Sequence, residues 1–242
     1  MTVAWVMNST GALRDHPGRV AGAPSSVLHV RDKEMRHAVA ERIRATHRGV
    51  DHLLIDEVDV RDTGRRMDLL LVAKELTAFE LKSDGDSLRR LRPQADAYSL
   101  VADRAVLVVG SRHARAGASH VPDWWAIWQV LGTAAGTRLK VLRRGSRNPS
   151  VDRRALAGLL LREELVEELS WHGRRGLSGL GVSGLRNEVV DAVPARELGP
   201  DVREHLMRRA AWRERALSRY RTPYLPALMP SSGERELVLA GA

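Results

Sequence analysis

Residues 67–72 and 76–82 show the hydrophobic pattern of two paired β-strands. The first stretch is apolar apart from Asp68, and the second alternates polar and apolar positions before it ends at Lys82. Short apolar runs of this kind are typical of strands. The three residues between them, 73–75, predict a hairpin connection.

The length of this connection decides whether Asp68 and Glu80 share a face of the sheet. Side chains alternate between the two faces of a strand. A two-residue turn would therefore point the two carboxylates in opposite directions, whereas a three-residue connection or a bulge places Asp68 opposite Glu80, with Lys82 on the same face. We predict the odd-length connection.

The pattern elsewhere adds four strands to this hairpin. The predicted strands are 53–60, the continuously apolar 104–110, a strand marked by Trp124, Trp125 and Trp128, and its hairpin partner 138–142. A strand that is apolar throughout is expected at the centre of a sheet that is covered on both faces. For the tryptophans we weigh base stacking against core packing, and core packing is favoured because strand aromatics commonly face inward.

Helices are predicted on both sides of these strands. The first is capped by Asp32, carries Met35, Val39 and Ile43 toward the sheet, and ends at Gly49. The other predicted helical stretches are a single turn at 87–91, a helix starting at Pro93, and three C-terminal helices at 156–169, 185–193 and 201–220.

These elements predict four segments of chain. An aperiodic N-terminal tail covers 1–26, a core of strands and helices covers 27–149, a helical extension covers 150–220, and a Pro-containing tail covers 221–242. The extension offers a surface for a protein partner or for a second copy of the chain. It has no helix-turn-helix pattern, so a plain packing role is the alternative.

A pair of carboxylates inside a sheet needs a physical explanation. An unpaired buried charge costs several kcal/mol, and a divalent cation bound between Asp68 and Glu80 would remove that cost. Lys82 adds to the signal because this Arg-rich chain has only the lysines Lys33, Lys74, Lys82 and Lys140.

The spacing of Asp68, Glu80 and Lys82 resembles the PD-(D/E)xK nuclease superfamily, whose members share a restriction-endonuclease-like fold. The helix after these residues carries Gln94 and Tyr98, which resemble the Q-x3-Y element of the exonuclease-like branch. Met67 stands where the family name would have Pro. Other segments are similar to an uncharacterised bacterial and phage family of predicted nucleases.

The resemblance implies an α/β fold with a restriction-endonuclease-like core, namely a mixed central β-sheet flanked by helices, plus a C-terminal helical extension. It also implies a Mg²⁺-dependent deoxyribonuclease, in which Mn²⁺ can substitute and which leaves a 5′-phosphate. Asp68, Glu80 and the backbone carbonyl of Leu81 would hold the ion. Lys82 would orient the attacking water or stabilise the transition state, Gln94 would position the water or a ligand, and Tyr98 would brace Gln94.

Two further carboxylates are weaker candidates for the metal site. Glu57 lies in the 53–60 strand and could face Asp68, although charges on an edge strand also serve to prevent edge-to-edge pairing. Glu41 lies on the first helix, one turn after His37. Both residues point away from the apolar stripe of this helix, so a solvated face is the favoured interpretation.

Charge and composition point to a polyanionic partner. The formal net charge is +9, which suits DNA but is also typical of proteins from Arg-rich proteomes. No cysteine is present, so disulfides and thiolate metal sites are excluded. No apolar run reaches the length of a membrane span, and we expect a cytoplasmic protein. The basic residues predicted to contact phosphates are Arg112, Arg115, Arg143, Arg144 and Arg147.

The function predicted from the sequence is hydrolysis of phosphodiester bonds in DNA, in repair, recombination, or a phage or defence setting. The alternative is a catalytically silent nuclease-fold module that binds nucleic acid or a protein partner. A third interpretation is an unrelated α/β domain in which Asp68 pairs with Arg65 or Arg66.

Overall fold

The structure is a computed structural model that describes residues 29–133 and 136–220. Both predicted tails, 1–26 and 221–242, lie outside the described residues. Residues up to Arg208 form one compact unit. A second unit starts at Arg209, and of this unit the structure describes the helical residues up to Tyr220.

One six-stranded mixed sheet forms the centre of the first unit. Its order follows the chain, with the first three strands antiparallel, the third to fifth parallel, and the last two antiparallel. The strands are β1 (Leu53–Val60), β2 (Arg65–Val72), β3 (Leu76–Lys82), β4 (Arg104–Val109), β5 (Ala126–Thr133) and β6 (Gly136–Arg143).

Six α-helices accompany the sheet in the described part of the chain. They are α1 (Asp32–Thr46), α2 (Leu91–Ser99), α3 (Arg153–Ala157), α4 (Arg162–Trp171), α5 (Val182–Ala192) and α6 (Ala195–Tyr220). The predicted fold class is confirmed, since a mixed sheet lies between helices and further helices follow it. Within the described residues, no helix is both long and apolar enough to cross a membrane.

The two faces of the sheet are covered by different helices. On one face, Met35, Val39 and Ile43 of α1 pack against strand residues such as Leu69 and Phe79, as the helical spacing predicts. The other face carries Leu70, Val72, Leu76, Ala78, Leu107 and Val109, which pack with α2 and with apolar residues of α3 to α6. The predicted boundary near residue 149 therefore separates two stretches of chain that share one core.

Several predicted boundaries were wrong, for local reasons. The predicted helix 156–169 is interrupted because α3 ends at Ala157 and is capped by Gly158, where an added Cβ would lie 2.8 Å from the Ala155 carbonyl oxygen. The next helix, α4, is capped by Leu161, whose N–H donates to Glu164 Oε2 at 2.8 Å. Trp124 and Trp125 precede β5 rather than lying in it, because the Trp125 N–H closes a turn onto the Pro122 carbonyl.

Two helix starts also differ from the prediction. The residue that caps α1 is Arg31, whose N–H donates to Glu34 Oε2 at 2.7 Å, so Asp32 is the first helical residue. A 3-10 turn at Leu88–Arg90 leads directly into α2, which begins at Leu91. Pro93 therefore lies in the first turn of α2, where its missing N–H has no helical partner to lose.

The turn after β3 is fixed by a buried carboxylate. Asp84 is 5% exposed, and its carboxylate accepts from the backbone N–H of Arg112 at 2.8 Å and of Val30 at 3.4 Å. The chain passes so close at Gly110 that an added Cβ would lie 2.4 Å from Asp84 Oδ1 and 3.0 Å from the Asp84 nitrogen. Only glycine fits there without displacing the Asp84 carboxylate.

We expect Gly110→Ala to lower the free energy of unfolding by roughly 1–3 kcal/mol, the usual cost of forcing an extra group into a packed site. Gly85→Ala is the matched control, because the nearest atom to its added Cβ is 3.9 Å away. Urea unfolding followed by circular dichroism measures both. Equal stability of the two variants would show that the Asp84 contact is not tight in solution.

Candidate active site

The connection between β2 and β3 has the predicted length. Val72 pairs with Leu76, which leaves residues 73–75 as the turn, and pairing continues in this register to Leu69 and Phe79. The next opposed positions are Asp68 and Glu80. Leu70, Val72, Leu76 and Ala78 lie in the same cluster, as predicted for the face that Glu80 and Lys82 continue.

The regular ladder between β2 and β3 ends where the acidic residues begin. The last regular pair is Leu69 with Phe79, and beyond it the Leu81 N–H donates to Asp68 Oδ2 at 2.7 Å. The Asp68 carboxylate thus lies between the two strands and takes the place of a backbone acceptor. Because the N–H and C=O of a strand residue point to the same side, the Leu81 carbonyl is directed into this gap as well.

Glu80 is fully buried and hydrogen-bonded at both oxygens. Lys82 Nζ lies 2.5 Å from Glu80 Oε1, and the Tyr98 hydroxyl contacts Glu80 Oε2. The same hydroxyl lies 2.6 Å from the carbonyl oxygen of Arg66. Since it has a single proton, Tyr98 donates to one of these two acceptors at a time.

Burial raises the pKa of both carboxylates, and the charge of Asp68 adds to the effect at Glu80. Burial, together with the charge of Asp68, raises the pKa of Glu80 to about 7. Burial also raises the pKa of Asp68, although the Leu81 N–H and the charges of Lys82 and Arg36 oppose this change. Burial and the nearby Glu80 raise the pKa of Tyr98, which keeps its hydroxyl protonated as a donor.

Gln94 lies beside Tyr98, as their helical spacing predicts. Its amide lies close enough to the Tyr98 hydroxyl to lower the pKa of Tyr98, against the larger effect of burial. The Gln94 Oε1 atom is buried and, among the described residues, has no hydrogen-bond partner. A buried acceptor without a donor is costly, so this atom is a candidate ligand for a bound water or ion.

Glu57 lies opposite Asp68 on β1, because its neighbours Asp56 and Val58 pair with Leu69 and Met67. Its φ of 57° is in the left-handed region, where a non-glycine residue is strained, and such strain is found at functional sites. The side chain is not directed at Asp68. Its oxygens lie 3.0 Å from Arg36 Nη2 and 2.6 Å from Arg66 Nε.

Arg36 is a site residue that the sequence analysis missed. From α1 it contacts Asp32 at 2.8 Å, Asp56 at 2.9 Å and Glu57 at 3.0 Å, and it lies 3.8 Å from Asp68 Oδ1. It also donates to the Asp68 carbonyl at 3.0 Å. The acidic residues of β1 could have indicated such a partner, because closely spaced carboxylates need a nearby cation.

Glu41, the other weak metal candidate, is not at this site. It is exposed and pairs with Arg44 at 2.5 Å. With His37, it lines a cleft of about 600 Å³ between α1 and the β6 residues Thr137 and Leu139. His37 and Glu41 therefore lie on a solvated face of α1, as predicted.

The arginines that were predicted to contact phosphates lie in two groups, at opposite ends of the strands. Arg112 and Arg115 follow β4. They lie at the same end of the strands as Lys82, because β3 and β4 are parallel and end side by side. Both are exposed, although Arg112 also donates to the Asp84 carbonyl at 3.1 Å. Among the described residues, no ion pair involves Arg115.

The opposite end of the strands carries Arg143, Arg144 and Arg147, because Arg143 pairs with Ile127 near the start of β5. Arg143 donates to the carbonyls of Trp125 and Pro122 at 2.9 and 2.8 Å. Arg147 lies 3.3 Å from Asp103 and 3.6 Å from Glu75. The structure does not bring these three arginines to Glu80.

The tryptophans pack in the core. Trp125 is fully buried, stacked on Tyr98 with ring centroids 6.0 Å apart, and Trp128 meets Phe79 edge-on at 5.7 Å. Trp125 thus supports the tyrosine that contacts Glu80. Base stacking is excluded for these two rings, since both are covered by protein.

Fold and site together define a mixed α/β protein with a lysine and a row of carboxylates where an antiparallel hairpin opens. The family model described as Bacteriophage P4 protein cII matches residues 26–218. The chain therefore belongs to the bacteriophage P4 protein cII family.

Protein cII of Enterobacteria phage P4 is 26% identical to the chain over 144 residues, which is 60% of this chain and 54% of that protein. The chain thus spans about half the length of the curated relative that it matches. No solved structure matches the chain.

The pKa of Glu80 predicts how stability depends on pH. Its folded-state pKa of about 7 lies above the ordinary value of 4.5. Between pH 4.5 and pH 7, the folded protein therefore keeps a proton on Glu80 that the unfolded chain has lost. Stability should therefore fall as pH rises from 4.5 to 7, by on the order of 2 kcal/mol without metal. Glu80→Gln should lack this component, measured by urea unfolding in EDTA at pH 5 and pH 8. Identical pH dependence in both proteins would contradict it.

We expect Arg36→Ala to destabilise the protein by about 1–2 kcal/mol, because three partly exposed carboxylates and Asp68 lose their shared cation. Arg44→Ala is the control, since Arg44 lies on the same helix and its one ion pair in the described part of the chain is with exposed Glu41 at 2.5 Å. Urea midpoints compare the two variants. A loss no larger than that of Arg44→Ala would show that the acidic residues do not depend on Arg36.

Proposed function

We propose that this protein is a metal-dependent nuclease that hydrolyses phosphodiester bonds of DNA, related in chemistry to the PD-(D/E)xK nucleases. The observation that carries the proposal is the convergence of Asp68, Glu80 and Lys82 at the point where the β2–β3 ladder opens. A buried acid and a partly buried acid whose pKa values are both raised, with a lysine beside them, are a costly arrangement. Perturbed groups of this kind cluster at functional sites.

The available ligand atoms suit a hard divalent ion. Asp68, Glu80 and the Leu81 carbonyl supply oxygens, which are the ligands that Mg²⁺ and Mn²⁺ prefer, and the buried Gln94 Oε1 lacks a partner. These residues would hold the ion. When bound, the ion would lower the pKa of a coordinated water and neutralise charge on the phosphate.

The side chains around the acids would have separate roles. Lys82, freed from Glu80 Oε1, would orient the attacking water or stabilise the charge that develops on the phosphate. Gln94 would position that water, and Tyr98 would fix the orientation of Glu80 and brace Gln94. Arg112 and Arg115, at the same end of the strands, would contact the DNA backbone. Arg143, Arg144 and Arg147 belong to the opposite end and are not needed for this role.

A second candidate is a module that binds nucleic acid or a partner protein without cutting. The observation that favours it is that both oxygens of Glu80 already have protein partners, Lys82 at Oε1 and Tyr98 at Oε2. Arg36 also supplies a protein cation to the neighbouring carboxylates. Membership of a phage protein family is compatible with both candidates.

Cleavage of labelled linear, circular and single-stranded DNA in Mg²⁺ or Mn²⁺ tests the proposal. We expect metal-dependent cutting by the wild type and a loss of at least about 100-fold in Glu80→Gln and Lys82→Ala, because each removes a group at the reacting phosphate. Lys74→Ala is the matched control, since Lys74 is an exposed lysine in the turn of the same hairpin. Its activity should be unchanged.

Two outcomes would contradict the proposal. Cutting that survives in both site variants would place the activity elsewhere or in a contaminant. DNA binding without cutting, equal in wild type and variants, would favour the binding module. The contrast between linear and circular DNA separates end-directed from internal cleavage.

A further inference from the structure

A group of metal-ligand side chains lies between α4 and α6, away from the sheet. Helix α4 supplies Glu168, and His172 follows one turn later as the residue that caps this helix. Helix α6 supplies Asp201 and, one turn later, His205. The ligand atoms of Glu168, His172 and Asp201 all lie within 4.8 Å of one another. Two helices thus each offer a carboxylate and an imidazole on facing surfaces.

Glu168 is the centre of this group and is fully buried. His172 Nε2 lies 3.1 Å from Glu168 Oε1, and His205 Nε2 lies 3.0 Å from Glu168 Oε2. Glu168 therefore has one oxygen toward each histidine. His172 is 23% exposed at its side chain, so the group opens to solvent on that side.

The proton on His205 can be assigned from its other neighbour. Arg208 Nη2 lies 2.8 Å from His205 Nδ1, and an arginine can only donate a hydrogen bond. His205 Nδ1 is therefore the acceptor, and in the neutral ring the proton is on Nε2, which donates to Glu168 Oε2. His205 is thus a positioning residue that orients Glu168, in the way that outer histidines and carboxylates orient metal ligands.

The three ligand atoms lie within 4.8 Å of one another, and one pair has the separation expected of ligands to one ion. Metal–ligand bonds of roughly 2.0–2.2 Å place neighbouring ligand atoms about 3.0–3.5 Å apart at angles between 90° and 109°. The 3.1 Å between His172 Nε2 and Glu168 Oε1 lies in this range. One imidazole with two carboxylates favours a transition-metal ion over Mg²⁺ or Ca²⁺, which prefer oxygen ligands alone.

We propose that Glu168, His172 and Asp201 bind a divalent transition-metal ion of the Zn²⁺ class, with His205 orienting Glu168. The ion ties α4 to α6 within the unit that ends at Arg208. This site is independent of the proposed nuclease site, because it shares none of its ligands. The competing explanation is a metal-free hydrogen-bond network in which both histidines donate to Glu168.

Metal content distinguishes the two explanations. The full chain is stripped with chelator and dialysed against Zn²⁺ alone, and bound metal is measured by elemental analysis. Co²⁺ absorption reports nitrogen and oxygen coordination. We expect one equivalent bound tightly, with affinity at least about tenfold weaker in His172→Gln and in Asp201→Asn. Zn²⁺ should raise the unfolding temperature of the wild type by several degrees and that of these two variants by less.

Two controls make the result specific. His37→Gln removes an exposed histidine of α1 and should keep full Zn²⁺ affinity. Glu80→Gln removes the buried acid of the nuclease-like site and should keep the tightly bound equivalent that we assign to Glu168, His172 and Asp201. Circular dichroism establishes that each variant is folded, and if one is not, the other decides. No binding by the wild type, or equal affinity in His172→Gln and Asp201→Asn, would overturn the proposal. Loss in Glu80→Gln instead would assign the ion to the sheet.

Discussion

The burial of the Glu80 carboxylate inside an apolar sheet is the constraint on which the rest of the site depends. Glu80 has no exposed surface, so every partner that it has must come from the protein. Lys82 comes from its own strand, Tyr98 comes from α2, and Trp125 stacks on Tyr98 to hold it there. The packing of α2 on the sheet therefore serves both the core and the ionisation of one acid.

The sequence predicted the core of this arrangement because its causes are local. Alternation along two strands and the odd length of the turn were enough to put Asp68 opposite Glu80, and i, i+4 spacing was enough to put Gln94 beside Tyr98. The apolar stripe of α1 likewise identified its buried face. In each case the spacing of residues in the chain determines the contact directly.

What the sequence did not predict depends on contacts between distant parts of the chain. Arg36 is one arginine among many, and only the packing of α1 beside β1 and β2 brings it to Asp56, Glu57 and Asp68. The separation of Arg143 from Arg112 follows from the directions of the strands, which periodicity does not give. The break at Gly158 reflects a close backbone approach that helix propensity alone does not reveal.

The position of the acidic site within a single hairpin also bears on how the protein folds. Asp68, Glu80 and Lys82 belong to adjacent antiparallel strands joined by residues 73–75, so bringing them together closes a very short loop. Short loops close with little loss of chain entropy, and contacts of low sequence separation form early. The parallel pairing of β3 with β4 spans a longer crossover. We therefore expect the three charged side chains to come into register before the apolar cover that buries them is complete, while water can still solvate them.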